Sequence, residues 1–206
     1  MKTLRQIFSG LHVRAVRNAI ISDLKLKQAG ENGALRIILF CMIIFLTASS
    51  VPGGKVVMTD WMRMQAEREF FYFQIRKKPF SEELLRECIA YEGIKYPDVV
   101  LLQSKLETGY YTSDIFLKGN NLFGMKYPSY RPTVASGTYK EHARYLHWSD
   151  SVIDYAIWQR WYMSLGYHIG EYDDDDFYLV FLKCIPYAED PRYIPKLVKL
   201  SDGDLT

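Results

Sequence analysis

Glu107 lies in the run Gln103-Ser104-Lys105-Leu106-Glu107-Thr108-Gly109, where the pattern predicts the last turn of a helix closed by Gly109. The negative end of the helix dipole disfavours a carboxylate at that position. The same field, with partial desolvation by neighbouring aromatic residues, raises a carboxyl pKa. A carboxyl that stays protonated near neutrality can serve as a general acid. The alternative is a solvated helix-end glutamate, and by residue type alone that is the commoner case.

Other chemistries find less support. His142, His147 and His168 fall on different predicted elements with no i, i+4 pairing, which argues against a metal site. Asp173 to Asp176 lack the spaced oxygen ligands and glycine of a calcium loop and read as the acidic start of a helix. No CxxC or Cys/His spacing, Gly-rich phosphate loop or Gly-x-Ser-x-Gly elbow occurs, so neither metal nor cofactor is expected. The net charge of +2 is too small a bias for a nucleic-acid partner. Aromatic residues make up 15% of the chain, with 16 Tyr; their flat rings suit sugar faces, but cores use them equally. Cys88 and Cys184 either pair or remain two buried free thiols, and the free thiols are preferred.

The elements that must position Glu107 are mostly helical. A helix with the aromatic run Phe70-Phe71-Tyr72-Phe73 is predicted between Met58 and Pro79, the run packing in the core. Ser81 reads as an N-cap followed by Glu82 and Glu83, with Leu84, Cys88 and Tyr91 as the buried face and Gly93 as the stop. Pro97 opens the helix that carries Glu107, with Val99, Leu102 and Leu106 facing inward. Residues 119–147 are rich in Gly, Asn, Pro and Tyr and predict short strands and turns. Ser149 or Ser151 then opens a helix through about Leu165, with Asp154 completing a capping box if Ser151 is the cap. The apolar run Phe177 to Ile185 predicts the final long helix, followed by a tail punctuated by Pro186, Pro191 and Pro195. The expected class is α+β and predominantly α, with residues 81–200 as one domain, 51–80 as linker and N-terminal helix, and 201–206 as a tail.

Residues 1–50 read differently. Leu35 to Ala48 is an apolar run, broken only by Arg36 and Thr47, shorter than the roughly 20 residues of a membrane-spanning helix and close to a signal-peptide core. Small residues Ala48-Ser49-Ser50 follow, and the basic residues before the run fit a cytoplasmic amino terminus. Export to the periplasm or exterior is expected. The apolar segment, residues 35–50, is either a cleaved signal or an uncut anchor, the only predicted contact with a membrane.

Four ordered blocks carry a family resemblance. Leu106 to Ser113 (LETGYYTS), Asn120 to Lys126 (NNLFGMK), His147 to Tyr155 (HWSDSVIDY) and Tyr187 to Tyr193 (YAEDPRY) together resemble the bacterial glucosaminidases of glycoside hydrolase family 73. The resemblance covers roughly Ser81 to Leu200. It implies a lysozyme-like fold with a helical lobe and a small β-hairpin lobe. It also implies hydrolysis of the β-1,4 bond after N-acetylglucosamine in peptidoglycan, with glycan strands as the partner and Glu107 as general acid. Glu141 matches the region of a second catalytic glutamate in some members, with an exposed hairpin charge as the other reading; Asp114 ranks below it. Two carboxyl groups about 6.5–9.5 Å apart suit inversion and about 5–5.5 Å suit direct attack, while the substrate's own acetamido group replaces the second carboxylate in some families. Tyr110, Tyr111, Asn121, Phe123, Tyr139 and Tyr155 are the expected substrate contacts, with core packing an equal alternative for Phe123 and Tyr155. A lytic transglycosylase, or a wall-binding domain that has lost catalysis, are the competing functions.

Overall fold

The structure, a computed structural model, describes residues 60–171, 174–185 and 187–201. The apolar segment at 35–50 lies outside them. The chain divides into two compact units, residues 1–78 and 79–206. The described part of the first unit contains helix α1, Asp60–Ile75. Of its aromatic run Tyr72 is buried and Phe70 exposed, so core packing accounts for only part of it. Arg68 and Arg76 both sit over the Tyr72 ring. Among the described residues no helix is long and apolar enough to cross a membrane.

The second unit is mostly helical with one small antiparallel sheet, so α+β with α predominating is its class. Helix α2 spans Glu82–Tyr91, and the Ser81 hydroxyl accepts from the Leu84 amide as predicted for its cap. Its buried face is Leu84, Leu85, Cys88 and Ile89, whereas Tyr91 is exposed. The inward stripe is therefore rotated from the predicted one by about a residue, because adjacent pairs one turn apart share a face.

Helix α3 spans Pro97–Thr108 and ends at Gly109, whose φ of 54° is the left-handed conformation of a helix stop. Its buried side chains are Val99, Val100, Leu101, Gln103, Ser104 and Thr108, while Leu102 and Leu106, expected inside, are half-buried. Three polar residues thus face the interior, and each is hydrogen-bonded, which is what makes their burial tolerable. A short helix α4, Asp114–Gly119, follows with Ser113 as its cap; sequence pattern did not show it, since six residues carry too little periodicity.

Strands β1 (Gly137–Tyr139) and β2 (His142–Arg144) pair as a hairpin in the predicted region, with Tyr139 opposite His142. The two-residue turn is Lys140-Glu141, with φ of 45° and 64°, the left-handed pair that such turns require.

Helix α5 spans Trp148–Ser164, and neither Ser149 nor Ser151 caps it. His147 is the cap, its ring accepting from the Ser149 amide, and Asp150 completes the box by accepting from the His147 amide. Asp154 points inward instead. One of its carboxylate oxygens accepts from Arg131 Nη1 at 3.1 Å and the Val134 amide at 3.2 Å; the other accepts from Arg131 Nη2 and the Tyr145 hydroxyl, both at 2.9 Å. This buried pair ties the segment leading to β1 onto α5.

Helix α6, Asp175–Cys184, starts from Asp174 as cap, with Asp175 and Asp176 in the first turn. It is not the last helix. Tyr193–Ser201 forms α7, packed on α3. Pro195 fits because it is the third residue of the helix, where its missing N–H would have had no acceptor within the helix. Cys88 is buried and Cys184 exposed, both as free thiols. Burial pushes the Cys88 thiol up to about 12.

Candidate active site

Glu107 stands in the last turn of α3, half-buried, and three neighbours define it. Desolvation pushes its carboxyl up to about 7; a hydrogen bond from Tyr193 and the charge of Lys196 act in the opposite sense. Burial is thus the leading cause, and the polar partners keep the pKa from rising further. Lys196 is itself held by Asp190, Nζ to Oδ2 at 2.7 Å, and these contacts with Arg192 hold the Asp190 carboxyl well below its usual range.

The third neighbour is Gly124. Its φ is +61°, and a Cβ built there would come within 2.5 Å of Glu107 Oε2. The loop backbone therefore closes directly on the carboxyl, which contributes to its desolvation. The loop is fixed from behind. Asn121 Nδ2 donates to the carbonyls of Met125 and Ala143, and its Oδ1 accepts from the amides of Phe123 and Met125. The Tyr187 hydroxyl donates to the Phe123 carbonyl at 2.8 Å. Gly124→Ala carries both a left-handed strain and a clash with the carboxyl. We expect it to lower stability by about 1–3 kcal/mol and turnover by more than 10-fold, roughly the cost of a displaced catalytic group. Thermal unfolding and an activity assay on the same sample check this, and an unchanged turnover would mean that Glu107 does not need this loop.

After Gly109 the chain takes two further left-handed residues, Tyr110 (φ 54°) and Tyr111 (φ 65°). Non-glycine residues in that region carry strain, which surrounding contacts must hold. The Tyr110 amide donates to the Lys105 carbonyl and the Tyr111 amide to Thr108 Oγ1, both at 2.9 Å. The Tyr111 ring packs against Phe80 and its hydroxyl lies 3.2 Å from Ser104 Oγ.

The predicted contact residues separate into two groups. Asn121, Phe123 and Tyr155 have no exposed surface. Asn121 spends its side chain on the Gly124 loop, while Phe123 and Tyr155 pack against each other as tilted rings with centroids 4.4 Å apart. These three shape the site from behind rather than touching a ligand, because a fully enclosed side chain offers no surface to bind one. Tyr111 is turned inward by its packing. Tyr110 is exposed, and Tyr139 is half-buried with its ring lying along Gly119.

Glu141 is exposed at the hairpin turn, near Lys126, which pairs with Glu189 at 3.0 Å. Asp114 is engaged by Lys140 at 2.7 Å and Lys118 at 3.0 Å, which hold its carboxyl low. Among the described residues no three His, Cys, Asp or Glu side chains gather as a metal site.

Sequence reasoning assigned no role to Tyr193, Lys196 or Gln103. Gln103 and Glu107 are four apart and so share a helix face, and Tyr193 closes the fourth of the resembling blocks; those were the available signals. No curated protein and no solved structure matches the chain. Residues 83–203, however, match the glucosaminidase family, described as mannosyl-glycoprotein endo-beta-N-acetylglucosaminidase. With a family match over more than half its length, the chain belongs to the glucosaminidase family and is a glycoside hydrolase of the endo-β-N-acetylglucosaminidase type.

Proposed function

We propose that this glucosaminidase cleaves the β-1,4 bond following N-acetylglucosamine in bacterial peptidoglycan, with Glu107 protonating the leaving oxygen. One observation carries the reading: a half-buried carboxyl whose pKa is pushed up to about 7, held by a tyrosine hydroxyl at a helix end. Such a group still carries its proton in a large share of molecules near neutral pH yet is acidic enough to give it up, as general acid catalysis requires. As the glycosidic bond breaks, charge accumulates on the ring carbon and oxygen, and the proton from Glu107 neutralises the departing alkoxide. Tyr110 and Tyr139 offer ring surface for sugar stacking. Peptidoglycan lies outside the cytoplasmic membrane, and the apolar segment at 35–50 is what would deliver the domain there.

The second step needs a water or an internal nucleophile. We assign water activation to Glu141, which is exposed at the hairpin turn. Glu141→Gln should lower turnover by about 10²-fold or more, with little change in thermal stability because the side chain is exposed. Near-normal turnover would move that role to the substrate's acetamido group. Mass spectrometry of peptidoglycan incubated with the full chain distinguishes the chemistry. Hydrolysis leaves reducing N-acetylglucosamine ends; anhydro-muramic ends would mean a lytic transglycosylase, and an uncut wall would mean a binding domain. If Glu107 must be protonated, turnover should fall as pH rises through about 7. A rate that still climbs well above that pH would contradict the assignment.

A further inference from the structure

Behind Glu107 runs a line of buried polar side chains that ends at its hydrogen-bond partner Tyr193. It begins at Gln159, whose Oε1 accepts from the Lys95 amide at 2.9 Å and whose Nε2 donates to the Lys95 carbonyl at 3.0 Å. Two bonds to one backbone residue fix the direction of that amide. Its Nε2 also donates to the Tyr178 hydroxyl at 2.8 Å. Tyr178 must then donate onward to the Tyr155 hydroxyl, 2.6 Å away. Tyr155, having accepted, donates to Gln103 Oε1 at 2.6 Å. That places Gln103 Nε2 towards Tyr193, to whose hydroxyl it donates at 3.0 Å. With its oxygen so occupied, Tyr193 turns its own proton to Glu107.

This direction leaves every member of the line with a partner. Were the Gln103 amide reversed, Tyr155 would have to donate back to Tyr178, the Tyr178 proton would find no acceptor in the line, and Tyr193 would give its proton to Gln103. All five members are buried, and an unmet polar group in such a place is costly. We propose that Gln103 is a positioning residue whose amide commits the Tyr193 hydroxyl proton to Glu107, with the backbone of Lys95 as the fixed end of the line. This rests on the reading of Glu107 as the general acid, and it adds how the proton affinity of that acid is set. The other groups facing Glu107 are Lys196, held by Asp190, and Tyr187, whose hydroxyl is committed to the Phe123 carbonyl.

The test is the titration midpoint of Glu107 in the full chain, followed by NMR of glutamate labelled with carbon-13 at the carboxyl and assigned by the signal lost in Glu107→Gln. Gln103→Glu exchanges a donor for an acceptor at almost constant volume, so Tyr193 turns away and the midpoint should rise by about one pH unit. Gln103→Met, which introduces no charge, should raise it less, and Tyr193→Phe should raise it comparably. Placed together with Tyr193→Phe, Gln103→Met should add nothing, since its route to Glu107 is gone. The alkaline limb of the turnover profile should move with the midpoint. If Gln103→Glu leaves the midpoint unmoved, or shifts it equally with and without Tyr193→Phe, the inference is overturned. The NMR midpoint reads this linkage whether or not Glu107 catalyses. A Glu107→Gln protein that still cleaves overturns the catalytic reading separately.

Discussion

Glu107→Gln should leave a folded protein whose turnover on peptidoglycan is lower by about 10³-fold or more, because the amide cannot supply the proton. Its fold should not suffer, since glutamine has the shape of the protonated acid and its oxygen can accept from Tyr193. Stability should in fact respond in the opposite direction from activity. The folded state binds the Glu107 proton more tightly than the unfolded chain does, with a pKa of about 7 against the ordinary 4.5. Folding stability linked to this group is therefore present below about pH 4.5 and is lost as pH rises through about 7. Discounted for partial exposure, the loss is about 2 kcal/mol. Glu107→Gln removes the titration, so its thermal midpoint should match the wild type near about pH 4.5 and exceed it near about pH 8. A variant that loses activity with an equal stability deficit at every pH would mean that Glu107 is a structural residue.

Such a stability difference would mark Glu107 as a residue that serves chemistry rather than packing, which sequence alone suggests but does not establish. Helix ends were legible where a single residue's backbone or side-chain chemistry decides them. Ser81 caps because its oxygen meets an amide, and Gly109 stops α3 because it reaches a left-handed φ. What could not be read was which polar residues turn inward. Gln103, Ser104 and Thr108 look like the wet side of an amphipathic helix, and the predicted inner face of α3 accordingly fell on Leu102 and Leu106. The burial of Gln103 makes sense only through distant partners, Tyr155 and Tyr193, whereas Ser104 and Thr108 donate to carbonyls of their own helix. The same holds for the tail, where three prolines suggested irregular chain. Only the position of Pro195 in a first turn lets α7 form, and α7 brings Tyr193 and Lys196 to the acid.

Asp154→Ala should be the most destabilising single substitution among these residues, by about 3–5 kcal/mol. Asp154 and Arg131 have side-chain exposures of 0% and 6% and meet at 2.9 Å. Removing the carboxylate strands a guanidinium in the interior and leaves the Tyr145 hydroxyl and the Val134 amide without their acceptor. The cost comes from the orphaned charge more than from a lost attraction, which a second variant can show. Arg131→Met combined with Asp154→Leu removes both charges while keeping apolar volume, so it should recover much of the loss. Denaturant unfolding of the wild type, Asp154→Ala and the double variant gives the three values needed. If the double variant were as unstable as Asp154→Ala, the pair would be holding the hairpin segment by specific geometry rather than by mutual neutralisation. The hairpin carries Glu141, so the same variants also separate stability from catalysis. Turnover per folded molecule should fall in Asp154→Ala only to the extent that the hairpin depends on its tie to α5.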